Sequence, residues 1–279
     1  VVGFYDPNVS SIFFREKEIH SLNNINELNY DFVKLNKIDL FIIGIPHSLI
    51  YPTLKSLLQT KLPLTFLVEK PLGINIEEAK KIKNLMLSNQ KIFVGLNYRY
   101  YNGISTLLKD FQEKKFGEIN SLSISMGHGQ GSKFVNSWKI NKKFAGGGVV
   151  IDPGIHIINL TQLLAGNDVS LVAKHLTFNN FWNTGIEEQC NLLFSSKSIP
   201  LINLNVSILK WRSNFDLSLF GNDCYGIVNG RGTHYGNQIY ILLLEMILHV
   251  PNKKFLFLFE FVLLTTEILN AFLAKIQNI

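Results

Sequence analysis

Leu67-Val68-Glu69-Lys70-Pro71-Leu72-Gly73 joins the end of an apolar run to a charged turn. The apolar run before it, Leu64–Val68, reads as a buried strand. An acid, a lysine and a proline then follow in succession, where a parallel α/β sheet presents its ligand crevice. Pro71 fixes its own φ and biases Lys70 towards extended backbone, so the lysine sits in a tight turn. A lysine held there beside a carboxylate suits proton handling on a bound carbonyl or hydroxyl. The same triplet also serves as a plain surface turn, and the surrounding chain has to decide.

Upstream, Asp39–Ile45 is the strongest buried-strand signal. It runs into Pro46-His47-Ser48 and a helix from about Ile50 to Gln59, with Pro52 in the first turn. A helix over Glu27–Lys34 would set Leu28, Phe32 and Leu35 on one side. Val1–Tyr5 reads as a short strand ended by Asp6-Pro7-Asn8. An acid at such a tip can bind the hydroxyls of an adenosine ribose, although Asp-Pro-Asn also forms an ordinary turn. Downstream, Asn75 and Glu78 make a capping box for a helix with Ile76, Ala79, Ile82, Leu85 and Met86 as its apolar stripe. Ile92–Leu96 is then expected to be another buried strand. Strand and helix alternating at this spacing predict a doubly wound parallel sheet over residues 1–100.

Beyond Tyr100 the pattern changes. A helix over Ile104–Lys115 stops at Gly117. Ser121–Met126 alternates leucine, isoleucine and methionine with serines, as a half-exposed antiparallel strand does. Strands are predicted at Leu171–Asn179, Gln189–Phe194 and Pro200–Leu209, with a hairpin of Phe215–Phe220 and Tyr225–Asn229. One helix, Val150–Ala165, follows Gly146-Gly147-Gly148. Residues 101–240 therefore read as an α/β domain with an open, mostly antiparallel sheet, and 241–279 as a divergent apolar segment.

Asp152-Pro153-Gly154-Ile155-His156 opens that helix, and i, i+4 spacing would put Asp152 and His156 on one face. Such a pair can orient a sugar hydroxyl and move its proton near neutral pH. A helix cap with a core histidine would use the same residues. No third ligand at recognisable spacing supports a metal.

Composition narrows the classes. The 279 residues are 47% hydrophobic and 17% charged, enough for two ordinary cores. The charge of +6 comes from scattered lysine pairs with no arginine-rich tract, which argues against nucleic acid. Cys190 and Cys224, without a CxxC, are expected to be small buried thiols. No signal peptide is visible, and a cytoplasmic location is the expectation.

Three stretches together carry a resemblance: Glu69-Lys70-Pro71-Leu72-Gly73, Gly95-Leu96-Asn97-Tyr98-Arg99-Tyr100, and Gly146 through His156. In order and spacing they resemble the glucose–fructose oxidoreductase / inositol dehydrogenase (Gfo/Idh/MocA) family, over about Val1 to Gly232. The resemblance implies a Rossmann domain, a C-terminal α/β domain and hydride transfer between NAD(P) and a sugar, sugar-acid, sugar-nucleotide or cyclitol hydroxyl. It implies that Lys70 is the catalytic lysine, Asp152 the substrate-facing acid and His156 the catalytic histidine. Asp6 falls on the ribose-binding acid and favours NAD over NADP, because a carboxylate repels a 2′-phosphate. Pro46, Glu69, Lys70 and Asn97 fall in cofactor-lining loops. Many members carry a histidine where this chain has Ile50, and His47 is the substitute on offer. Arg99, Trp138, Lys139, Trp182 and Arg212 are candidates for substrate contacts. A homodimer or homotetramer through the open sheet is a further implication.

The chain departs from the family at both ends. The glycine-rich first strand and turn are expected before Val1, as about 30 residues of a βαβ unit, so the start reads as a truncation. Gly127-His128-Gly129-Gln130-Gly131 opens no helix and is no substitute. A truncated or decayed homologue without turnover is thus the alternative to an active enzyme. At the other end, Phe255–Ala274 is nearly long enough to cross a bilayer, but Glu260 and Glu267 would each cost about 2–3 kcal/mol there. A buried amphipathic helix, a changed reading frame, or a remnant of the family's last helix at Leu263–Ile276 are the readings left.

Overall fold

The structure, a computed structural model, describes residues 3–6, 11–14, 17–22, 28–130, 134–179, 181–230 and 255–259. The chain divides into two compact units, a first of Val1–Gly95 with Ile239–Ile279 and a second of Leu96–Gln238.

The first unit begins with β1 (Gly3–Tyr5) and an antiparallel hairpin of β2 (Ser11–Phe14) and β3 (Lys17–His20). Helix α1 (Tyr30–Leu35) is capped by Asn29, whose Oδ1 accepts from the Phe32 amide at 2.9 Å. Next come β4 (Leu40–Gly44), α2 (His47–Leu58), β5 (Thr65–Val68), α3 (Ile76–Leu85) and β6 (Lys91–Val94). Strands β4 and β5 are buried at every position, as strands covered on both faces must be. Phe41 and Phe66 stack across them, centroids 5.6 Å apart, and Leu54, Leu57, Leu58 and Ile82 join them in the core.

Several expectations change here. Helix α2 begins three residues early, at His47, so Pro52 lies inside it rather than in its first turn. Strand β6 is not buried: it is the sheet's edge, and its residues alternate between exposed and half-buried. Leu35 and Ile76 point to solvent, leaving Val33 and Ile82 as the buried residues of α1 and α3. The capping box is modified too. Asn75 Oδ1 accepts from the Glu78 amide at 2.9 Å, but Glu78 Oε2 accepts from Ile74 rather than from the cap residue.

The second unit starts with a 3₁₀ turn, Asn97–Tyr100, then α4 (Asn102–Gln112), β7 (Ile119–Gly129), α5 (Lys142–Ala145) and α6 (Ile155–Ala165). Strands β8 (Ser170–Phe178), β9 (Glu187–Ser195), β10 (Leu201–Ser207), β11 (Leu209–Gly221) and β12 (Tyr225–Asn229) follow. They form one sheet in the order β12-β11-β7-β10-β9-β8. Its pairs are antiparallel except β7 with β10, which is parallel, so the sheet is mostly antiparallel as expected. Leu122, Ile124, Met126, Ile202, Leu204, Val206, Leu217 and Leu219 form the sheet's share of one core with Ile157, Leu160 and Leu164 of α6 and Ile104 and Leu107 of α4.

The other face is polar. His175, Asn191, Asn205, Ser125, Asp216 and Asn229 stand opposite one another in a row that crosses all six strands. Asn205 Nδ2 donates to Asn191 Oδ1 at 2.8 Å, and Ser125 Oγ to Asn205 Oδ1 at 3.3 Å. Cys190 is buried in β9 as expected, whereas Cys224 is exposed, in the turn between β11 and β12.

The last described element is β13 (Phe255–Phe259), a strand where a helix was among the readings. It pairs in parallel with β1 on one side and β4 on the other, completing a five-stranded parallel sheet in the order β1-β13-β4-β5-β6. The segment Leu263–Ile276 lies outside the described residues.

Candidate functional site

All five strands of the first sheet run the same way, so their C-terminal ends share one rim. That rim carries Asp6 after β1, Pro46 and His47 after β4, and Glu69 and Lys70 after β5. The Asp6 amide and carbonyl both meet Ser21 Oγ, at 3.2 and 3.3 Å, which ties the strand tip to the segment after β3. His47 is buried in the first turn of α2, and Ile50 is fully buried in the core. The Glu69 amide donates to the Ile43 carbonyl at 2.8 Å and prolongs the ladder past β5. A Cβ at Gly95 would stand 3.3 Å from Glu69 Oε2, so the glycine leaves room for that carboxylate beside the backbone. The Lys70–Pro71 bond is cis.

In the second unit the chemistry gathers around the entry to α6. The helix starts at Ile155 rather than Val150, so Asp152 lies in the preceding turn and does not share a helical face with His156. Nor does Asp152 cap the helix, whose N-cap Gly154 has no side-chain hydrogen bond. The Asp152–Pro153 bond is cis, and the Asp152 amide donates to the Gly148 carbonyl at 2.9 Å. Its carboxylate meets Lys139 Nζ at 2.8 Å. Trp138 and Lys139 belong to a 3₁₀ turn, with Trp138 half-buried. His156 is buried and stacks on Tyr98, ring centroids 4.1 Å apart and planes 14° from parallel.

The glycine run before α6 is seated on β9. Gly148 donates its amide to Glu187 Oε1 at 2.8 Å, and Val149 donates to the Glu187 carbonyl at 3.0 Å. The next residue, Glu188, is fully buried and accepts the amides of Phe181, Trp182 and Asn183 at 2.9, 3.0 and 3.1 Å. Adjacent carboxylates thus hold two different loops at one end of the sheet. Neither could be found by periodicity, because a glutamate at a strand's start reads as a solvated one. Trp182 packs on the second unit's core, edge-on to Phe134 at 5.4 Å. Arg99, a candidate for substrate contact, donates through Nη2 to Asn159 Oδ1 at 3.0 Å. Arg212 is exposed where β11 slips register against β7.

For the dinucleotide implied by the resemblance, the residues fit in part. Asp6 stands at a strand tip, the Gly95–Glu69 approach leaves an open backbone, and Asn97 Oδ1 is buried without a hydrogen-bond partner among the described residues. These suit a ribose and a nicotinamide. The pyrophosphate half has no such cradle among the described residues, which include no glycine-rich turn between a parallel strand and a helix. Among the described residues no group of three or more His, Cys, Asp or Glu could hold a metal ion, and no helix is long and apolar enough to cross a membrane.

Comparison with known proteins covers both units. The oxidoreductase family profile, described as an NAD-binding Rossmann fold, matches residues 1–98, and the GFO/IDH/MocA C-terminal domain profile matches 105–225. A protein of Amycolatopsis mediterranei assigned as a UDP-kanosamine synthase oxidoreductase subunit is 24% identical over 149 residues, 53% of this chain and 40% of that one. Levoglucosan dehydrogenase, solved with NADH and levoglucosan, superposes with a TM-score of 0.64 at 18% identity, over 75% of this chain and 58% of that one. The WlbA dehydrogenase of Bordetella pertussis, solved with NADH and UDP-GlcNAcA, gives 0.68 at 15% identity, over 77% and 61%. At these identities the structures speak for the fold. The chain spans 40% of the first relative's length and about 60% of the two structures'.

Proposed function

Because the chain belongs to the Gfo/Idh/MocA family of NAD-binding oxidoreductases, we propose that it interconverts a sugar-like hydroxyl and the corresponding carbonyl. The observation that carries this reading is the union, in one chain, of Glu69-Lys70 at a parallel-strand end with Asp152 and His156 at the entry to α6. The nicotinamide, when bound, supplies the hydride acceptor or donor. Asp6, Pro46, His47, Glu69, Lys70 and Asn97 would line its site, and Asp6 favours the cofactor without a 2′-phosphate. In oxidation His156 takes the hydroxyl proton as the carbon–hydrogen bond breaks with its electron pair. Lys70, as an ammonium, stabilises the developing alkoxide. Asp152, steadied by Lys139, binds a neighbouring hydroxyl. Reduction uses the same groups in reverse.

The substrate class is a sugar, sugar acid, sugar nucleotide or cyclitol, with Trp138 and Trp182 as aromatic faces for it. Assembly through the open sheet belongs to the same reading, and the polar row across the six strands, hydrogen-bonded from Ser125 through Asn205 to Asn191, gives that interface a polar, wet character. Localisation in the cytoplasm belongs to it as well. A second reading is a family member that keeps the fold without turnover, favoured by the lack of a glycine-rich phosphate cradle among the described residues. One experiment separates the two. Titration of the 279-residue chain with NADH, followed by nicotinamide fluorescence, is expected to saturate. Oxidation of a panel of sugars and sugar nucleotides is then expected to stop in Lys70→Ala and His156→Asn while NADH binding persists. Absence of NADH binding supports the second reading, and unchanged turnover in both variants refutes the roles given to Lys70 and His156.

A further inference from the structure

We infer that Tyr98 is the positioning residue for His156, holding the imidazole plane through ring stacking. The inference rests on the reading of His156 as the proton acceptor. The two rings lie 4.1 Å apart and 14° from parallel, both buried. Tyr98 is itself fixed, edge-on to Tyr101 at 5.1 Å and 86° and to Phe215 at 5.7 Å and 69°. A ring braced by two aromatic neighbours is a rigid floor, and an imidazole lying on it can aim its nitrogens only within one plane. Rotation about χ2 of His156 would drive its edge into the floor. A second brace acts beside it. Arg99, next to Tyr98 in the same 3₁₀ turn, donates to Asn159, three residues after His156 and on the same helix. The turn therefore grips α6 at two points one helical turn apart and fixes both the helix and the ring it carries. Proton abstraction needs the accepting nitrogen within hydrogen-bond reach and in line, so a loose ring would slow the chemical step while leaving substrate affinity alone.

The test uses the full chain, with its histidines labelled and the His156 resonances assigned through His156→Gln. In the wild type the carbon-bound protons of the His156 ring are expected upfield of the other histidines by the ring current of Tyr98. Tyr98→Phe keeps that shift and keeps kcat within about twofold, since the ring remains. Tyr98→Leu, or Tyr98→Met should the leucine variant not fold, loses the shift and lowers kcat by about 10- to 100-fold with KM little changed. Unshifted His156 protons in the wild type overturn the stack itself. A lost shift with unchanged kcat, in a chain that His156→Gln inactivates, overturns the positioning role. Wild-type turnover in His156→Gln removes the premise instead, and the ring-current result still judges the stack separately.

Discussion

Glu187 and Gly148 are locked together: the carboxylate accepts the Gly148 amide at 2.8 Å, and the Glu187 carbonyl oxygen fills the space a Cβ at Gly148 would need. Gly148→Ala must therefore push the turn that carries Asp152 away from β9. Overpacking against backbone, which cannot rotate aside, costs about 1–3 kcal/mol. A Cβ at the adjacent Gly147 would meet the Ile151 side chain at 3.0 Å, and a side chain can yield. Thermal unfolding is expected to show a clear drop for Gly148→Ala and a smaller one for Gly147→Ala.

Lys139 and Asp152 separate stability from activity. Their 2.8 Å pair is partly solvent-exposed, 47% for the lysine and 23% for the aspartate. Removing such a pair changes stability by about 1 kcal/mol or less. Lys139→Met is thus expected to unfold near the wild-type urea midpoint while losing kcat/KM, because the Asp152 carboxylate is no longer steadied. A fall in stability equal to the fall in activity would contradict this.

Glu188 makes the opposite prediction. It is buried, and three backbone amides converge on its two oxygens, so Glu188→Ala strands three donors at once. Hydrogen bonds to a charged group contribute about 1.5–3 kcal/mol each, and the loss is expected at the upper end of single-residue effects. Near-ultraviolet circular dichroism should show the Trp182 loop loosening before global unfolding in urea.

The two thiols should behave differently. Burial pushes Cys190 from its usual 9.0 up to about 11, because the thiolate would be desolvated in β9. Cys224 is exposed. A thiol reagent at neutral pH is expected to titrate one cysteine in the folded chain and two in denaturant. The same shift has a stability sign. The folded value is raised above the unfolded one, so the contribution is whole below pH 9.0 and is lost as pH climbs through about 11. Cys190→Ala should show a shallower alkaline decline than the wild type.

How much of this was legible depends on whether a feature is local. The continuous apolar run Leu40–Gly44 announces a buried parallel strand, because both its faces are covered. Lys91–Val94 looks similar in sequence, yet its place at the sheet edge is set by which strand lies beside it. The serine–aliphatic alternation of β7 reveals that one face is buried but not that its neighbour β10 runs parallel. Phe255–Phe259 is a five-residue apolar run, too short for periodicity to choose strand over helix. Lys70, Asp152 and His156 were singled out by their motifs, and the structure puts the first after β5 and the other two at the entry to α6. The stacking of Tyr98 and the loop held by Glu188 were not legible, since each depends on a partner that no local pattern identifies.

The place of β13 also governs the order in which the chain can fold. Strands β1 and β4 are made early, yet the strand that joins them is made after the whole of the second unit. Until then each presents an unpaired edge on which other chains can template. The second unit, whose strands are contiguous in sequence, can condense first during synthesis, while the first waits on a pairing of very high sequence separation. Pairing of β1 and β4 through β13 is therefore the latest step that the chain's order allows in this sheet.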